Sequence, residues 1–171
     1  MSEQLSTEFV EPSVSMWEKY ILGTPMKPAD EPPIHIWLDG SCIGNPGKGG
    51  WSCLIKFEDG TTKEFRGTAE HTTNNRMEIF PIGIALVYLR GKKTELHFHS
   101  DSLYAAHGIR RDWNFKSNLD LWKGIWSEID KREYPVHAHW VKGHSGVEFN
   151  EMCDSIANTI ASQLVTTTTK T

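Results

Sequence analysis

The chain has 171 residues, 38% of them hydrophobic and 23% charged, with a formal net charge of −4. That length fits one domain with a proper core, and no apolar run approaches the roughly 18–20 residues of a membrane span. No signal-peptide pattern opens the sequence, and Cys42, Cys53 and Cys153 lack metal-site spacing, so reduced thiols and a cytoplasmic location are expected.

Residues 1–33 are rich in Ser, Glu and Pro and end in Pro28-Ala29-Asp30-Glu31-Pro32-Pro33. They read as a flexible tail or linker, with room for a short helix at Ser15–Leu22. Their two basic and six acidic residues carry the whole acidic excess, while residues 34–165, with 15 basic and 16 acidic groups, are nearly neutral. Ile34–Asp39 is mostly apolar, as a central strand covered on both faces would be, and a Gly-rich loop follows. Trp51–Phe57 and Thr62–Gly67 flank Glu58-Asp59-Gly60, a hairpin signal. Thr73 or Asn75 can cap the next, long helix, in which Asn75-Arg76-Met77-Glu78 imitates a capping box and Pro81 removes one backbone donor and favours a kink. A short strand-like run ends at Asp101. Ser102–Gly108 reads as a short helix, and Asn118–Lys131 as a longer one with Leu121, Trp122, Ile125, Trp126 and Ile129 at helical spacing. Val136–Val141 is the last strand and Val147–Leu164 the last helix. Residues 166–171 read as a disordered tail.

Four acids have distinctive settings. Asp39 ends the first strand-like run, Glu78 lies just inside the long helix, Asp101 ends a second strand, and Asp154 lies on the last helix after Gly143-His144-Ser145-Gly146. Carboxylates held close repel one another unless protons or cations sit between them, and oxygen-rich clusters suit Mg²⁺ or Mn²⁺. The set suggests a two-metal site acting on a phosphodiester.

Asp39-Gly40-Ser41-Cys42, Gly44-Asn45-Pro46-Gly47, Thr73-Asn74-Asn75-Arg76-Met77-Glu78, Asp101-Ser102 and Trp140-Val141-Lys142-Gly143-His144 resemble the signature of the type 1 ribonuclease H family over about Ile34 to Ala161. The resemblance implies an α/β fold, a mixed five-stranded sheet with helices on both faces, over a catalytic domain at 34–165. It implies an endonuclease that cuts the RNA strand of RNA–DNA hybrids, leaving 5′-phosphate and 3′-hydroxyl ends, as a monomer with two Mg²⁺ ions, which Mn²⁺ can replace. Asp39, Glu78, Asp101 and Asp154 would be the metal ligands, and two divalent ions would take the 34–165 segment from −1 to +3. His144 would shuttle protons or aid product release, with Glu151 supporting its loop and Asn150 either tethering that loop or backing the metal ligands.

The same resemblance places Gly40, Ser41, Cys42, Asn45, Asn74 and Asn75 against the hybrid, the amides reading minor-groove edges and 2′-hydroxyls. It gives Thr73, Asn118 and His71 a DNA-strand phosphate, with His71 standing where the family often has Arg. Two departures matter. The Lys- and Trp-rich protrusion of many members is essentially missing, so Arg110, Arg111 and Lys116, with Trp113 and Phe115, are candidates for its contacts. His97, His99, His137 and His139 alternate on two strands, where a polar sheet face is the favoured reading and a metal site the alternative. A non-catalytic hybrid-binding module, or a resolvase- or transposase-like nuclease of the same architecture, are the rival functions.

Overall fold

A computed structural model of the chain describes residues 28–143, 154, 155, 157–159, 162 and 163. The short helix expected at Ser15–Leu22, His144, Asn150, Glu151 and the C-terminal tract lie outside the described residues, as does most of Val147–Leu164. The elements are β1 (Ile34–Ile43), β2 (Gly47–Lys56), β3 (Thr62–Thr72), α1 (Asn74–Tyr88), β4 (Leu96–Ser100), α2 (Leu103–Arg110), α3 (Leu119–Asp130) and β5 (Val136–Trp140). One sheet takes the order β3-β2-β1-β4-β5. The β1, β2 and β3 neighbours pair antiparallel, whereas β1–β4 and β4–β5 are parallel.

Period-two alternation sorts the central strands. Ile34, Ile36 and Leu38 of β1 point into the core with Leu96 and Phe98 of β4, Ala138 of β5, and Ile79, Ile82 and Leu86 of α1. The residues between them, His35 and Trp37 on β1, His97 and His99 on β4, and His137 and His139 on β5, share the opposite face as a stacked array of rings. Helices cover both faces. Ser41, on the face away from α1, donates to Asn158 Oδ1 at 2.6 Å, and Asn158 belongs to a C-terminal helical stretch that buries Ala157 completely.

β1 does not stop at Asp39. Its parallel ladder with β4 ends at Trp37↔His99, but its antiparallel ladder with β2 runs on through Asp39↔Ser52 and Gly40↔Trp51 to Ile43↔Lys48. The Gly-rich stretch is therefore largely strand, and Asp39 emerges beyond the end of one ladder while still held by the other. β3 likewise continues past Gly67 to Thr72. The hairpin turn at Glu58-Asp59-Gly60 forms as expected, with Asp59 Oδ1 accepting from Thr61 N at 2.8 Å.

Thr73 caps α1, its hydroxyl accepting from Arg76 N at 3.4 Å. Arg76 thus occupies the third helical position, and Glu78, in the fifth, is not a capping-box partner. Pro81 does not end α1, which runs unbroken to Tyr88. Its missing N–H leaves the Met77 carbonyl without an α-helical donor. The chain is tied to the domain from Asp30 onward: Tyr134 donates to Asp30 Oδ2 at 2.8 Å, and buried Thr94 donates to the Glu31 and Pro32 carbonyls.

Candidate active site

Three carboxylates converge at one end of the sheet. Asp39 comes from the middle of β1, Asp101 from just past β4, and Glu78 from the second turn of α1; one oxygen of each lies within 4.8 Å of the others. The approach of α1 depends on Gly40, where a Cβ would fall 2.2 Å from the Met77 carbonyl carbon. Only a glycine lets the helix backbone rest on β1 and bring Glu78 down to Asp39. On the other side, Val141 N donates to Ser100 O at 2.9 Å and Trp140 Nε1 to Asp101 O at 2.9 Å, so β5 fixes the backbone that carries Asp101.

Asp39 and Glu78 are buried, at 3% and 7% exposure, and each is half satisfied. Gly40 N donates to Asp39 Oδ1 at 2.8 Å, and Asn74 Nδ2 to Glu78 Oε1 at 3.3 Å. Asp39 Oδ2 and Glu78 Oε2 are buried and no N–H or hydroxyl donor of the described residues reaches them, while the Asp39 carboxyl lies against that of Asp154. Burial, then the charges of Asp101 and Asp154, push the Asp39 carboxyl up to about 8. Burial and the charges of Asp39 and Asp101 raise Glu78 well above the carboxylate range. Two orphaned carboxylate oxygens in a pocket this poor in donors suit hard divalent cations, which take oxygen ligands, so the donor set fits the metal that the sequence implies.

Asp154 joins from the C-terminal helical stretch. Its Oδ1 accepts from Asn158 Nδ2 at 2.9 Å, and Asn158 in turn accepts from Ser41. Asn158 was not legible as a site residue, although its place four residues after Asp154 on a helix is the available signal.

The expected substrate-contacting residues fall around this centre. Asn45 Oδ1 accepts from Asn74 N at 3.0 Å, which links the Gly44–Gly47 turn to the start of α1; Asn75 is exposed beside them. Cys42 Sγ lies 3.4 Å from Thr72 O. Thr73 and Asn118 are joined through Arg76, whose backbone donates to Thr73 Oγ1 and whose Nη1 donates to Asn118 Oδ1 at 3.3 Å. Arg76 stands inside a quoted motif, yet the sequence suggested no role for it; here its backbone meets Thr73, and its guanidinium meets Asn118 and pairs with Asp120 at 2.7 Å. His71 is exposed near the end of β3.

The short connector after α2 holds its two arginines against the domain. Arg110 donates to the Ala138 carbonyl, and Arg111 pairs with Asp130 at 2.7 Å and lies over Trp126. Both guanidiniums brace the domain. Phe115 packs against the core, whereas Trp113 is exposed and stacks on His107.

A mixed five-stranded sheet with three clustered carboxylates where β1, β4 and α1 meet is the architecture of ribonuclease H-like proteins. The family model described as RNase H matches residues 31–162, and the chain belongs to the ribonuclease H family, whose members are generally dependent on divalent metal. Curated relatives include a ribonuclease H of Rhodopseudomonas palustris strain BisB5, 40% identical over 138 residues, covering 73% of this chain and 89% of that one. The ribonuclease H of Aliivibrio salmonicida is 38% identical over 141 residues, covering 75% and 87%. Among solved structures, the N-terminal RNase H domain of a Mycobacterium tuberculosis protein superposes with a TM-score of 0.69 at 22% identity, over 80% of this chain and 98% of that one. LC11-RNase H1, solved in complex with an RNA/DNA hybrid, superposes with a TM-score of 0.67 at 24% identity, over 77% and 99%. No helix of the described residues is long and apolar enough to cross a membrane.

Proposed function

We propose that the protein is an endonuclease that hydrolyses the RNA strand of RNA–DNA hybrids, with Asp39, Glu78, Asp101 and Asp154 holding two Mg²⁺ ions. The observation that carries this reading is the pair of orphaned buried oxygens, Asp39 Oδ2 and Glu78 Oε2, within a three-carboxylate cluster. When bound, the ions would lower the pKa of a water and stabilise the leaving 3′ oxygen, giving 5′-phosphate and 3′-hydroxyl ends.

The chain's own residues orient the rest. Gly40 N and Asn74 Nδ2 hold one oxygen each of Asp39 and Glu78, leaving the other oxygens to face the centre. The Ser41–Asn158–Asp154 chain fixes the Asp154 carboxylate. Asn45, Asn74 and Asn75 present amides to the minor-groove edges and 2′-hydroxyls of the hybrid, next to Gly40, Ser41 and Cys42. Thr73, Arg76 and Asn118 hold a DNA-strand phosphate, with His71 at its margin. His144, the residue after Gly143, moves a proton to or from the reacting water or the product.

Assaying Mg²⁺-dependent cleavage on matched RNA–DNA, RNA–RNA, DNA–DNA and single-stranded substrates tests the reading. The expected result is cutting confined to the RNA of the hybrid. Equal cutting of duplex DNA would favour a resolvase-like nuclease, and metal-independent binding without cutting would favour a non-catalytic module.

A further inference from the structure

The opposite face of the sheet carries a second group of metal-ligand side chains, separate from the carboxylate centre. β4 and β5 lie side by side with His97 opposite His137 and His99 opposite His139. Glu95, at the entrance to β4, places Oε2 3.3 Å from His97 Nε2 and 3.2 Å from His137 Nε2, and one ligand atom from each of the three lies within 4.8 Å of the others. We propose that Glu95, His97 and His137 form a binding site for a borderline transition cation of the Zn²⁺ class, with a remaining position open to water.

The spacing favours a cation over a bare ion pair. Ligands about 2.0–2.2 Å from a tetrahedral Zn²⁺ stand about 3.3–3.6 Å apart, close to the 3.3 and 3.2 Å that separate Glu95 Oε2 from the two imidazoles. A direct imidazole–carboxylate hydrogen bond closes further, as it does in this molecule between His107 Nδ1 and Asp112 Oδ1 at 2.7 Å. The two rings face each other, with centroids 4.6 Å apart, and both Nε2 atoms lie toward the same carboxylate oxygen. The far side of His97 is also engaged: its Nδ1 lies 2.9 Å from His139 Nε2. Without a cation, His97 Nε2 hydrogen-bonds Glu95. With one bound, His97 would donate Nδ1–H to His139 and turn its Nε2 lone pair to the ion, the arrangement in which an outer partner fixes the tautomer of a metal-bound histidine. Two imidazoles and one carboxylate are a set that Zn²⁺ accepts with an open fourth position. The Glu95 and His137 side chains are 35% and 42% exposed, so an ion can enter from solvent.

The site would clamp β4 to β5, the two strands whose ends supply Asp101 and Gly143. Calorimetric titration of the full chain with Zn²⁺, in excess Mg²⁺ to occupy the carboxylate centre, tests this. Co²⁺ absorption provides a second readout of tetrahedral nitrogen ligation. The expected result is one equivalent bound through imidazole, weakened at least tenfold in His137→Ala and in Glu95→Gln, with circular dichroism unchanged in both. The Gln variant keeps the shape of the side chain and removes only its charge. The proposal is overturned if the wild-type chain binds no Zn²⁺ under these conditions, or if both variants bind it as the wild type does, which would locate the ion elsewhere.

Discussion

Gly143 rests directly on Asp101: a Cβ built at Gly143 would come within 2.6 Å of Asp101 Oδ2. The loop after β5 therefore confines the carboxylate that β4 delivers. Gly143→Ala should push Asp101 out of line with Asp39 and Glu78 while leaving the sheet intact. A displacement of about 1 Å at a reacting centre can cost roughly 10²-fold, so kcat should fall by about that factor with an unchanged far-UV spectrum. Wild-type turnover would show that the side chain swings aside without consequence.

Asp39 also sets a pH dependence of stability in the absence of metal. Its folded-state pKa, about 8, lies above the ordinary value of 3.8, so the folded chain holds a proton that the unfolded chain releases. Stability from this group is full below about pH 4 and is lost as pH rises through 8. In EDTA, urea denaturation should show the wild type losing on the order of 2 kcal/mol between pH 6 and 9. Asp39→Asn should lose clearly less, with Glu78 supplying the remainder. At the acid end the sign reverses. Burial, then His139, His35 and His97, depress His99 to about 4, so its contribution is lost as pH falls from 6.5 through 4 in both proteins. Parallel wild-type and variant curves above pH 6 would contradict the assignment of Asp39.

Arg76 links Thr73, through its backbone N, to Asn118, through its guanidinium, and the proposed reading gives this trio a DNA-strand phosphate. Arg76→Ala should raise KM several-fold with little change in kcat, because such a contact serves ground and transition states alike. The salt slope of binding should become shallower by about 1. Its exposed pair with Asp120 contributes at most about 1 kcal/mol to stability, so a steady-state salt series can be read without a folding correction. Arg110 and Arg111 are committed to Ala138 and Asp130, and their replacement should lower stability before it changes KM.

Truncation separates the tail from the domain. Removing residues 1–27 should leave hybrid cleavage intact and, by deleting an acidic segment, tighten binding slightly at low salt. Removing residues 1–33 should in addition lower stability by about 1–3 kcal/mol, because buried Thr94 loses both of its carbonyl acceptors. Equal melting temperatures for the two truncations would show that the Asp30–Pro32 contacts do not matter.

Much of this was legible from local chemistry. The apolar alternation of Ile34, Ile36 and Leu38, the Glu58-Asp59-Gly60 turn and the Thr73 cap each follow from rules that act over a few residues. The limits of β1 and β2 were not, because glycines carry no side-chain pattern and only the ladder between Asp39–Ile43 and Lys48–Ser52 reveals them as strand. The four carboxylates stood out by motif, but the Ser41–Asn158–Asp154 chain and the Arg76 bridge depend on contacts across 117 and 42 residues. The gathering of Glu95, His97 and His137 likewise needed the parallel register of β4 and β5, which periodicity alone does not set.

The most direct test of the central claim is cleavage of a labelled RNA strand in an RNA–DNA hybrid by wild-type protein and Asp39→Asn, each with Mg²⁺ and with EDTA. The wild type should cut only with Mg²⁺, leaving 5′-phosphate ends, and folded Asp39→Asn should show no cutting in either condition. Substantial Mg²⁺-dependent cleavage by pure Asp39→Asn would contradict the assignment of the buried carboxylate cluster as the catalytic metal centre.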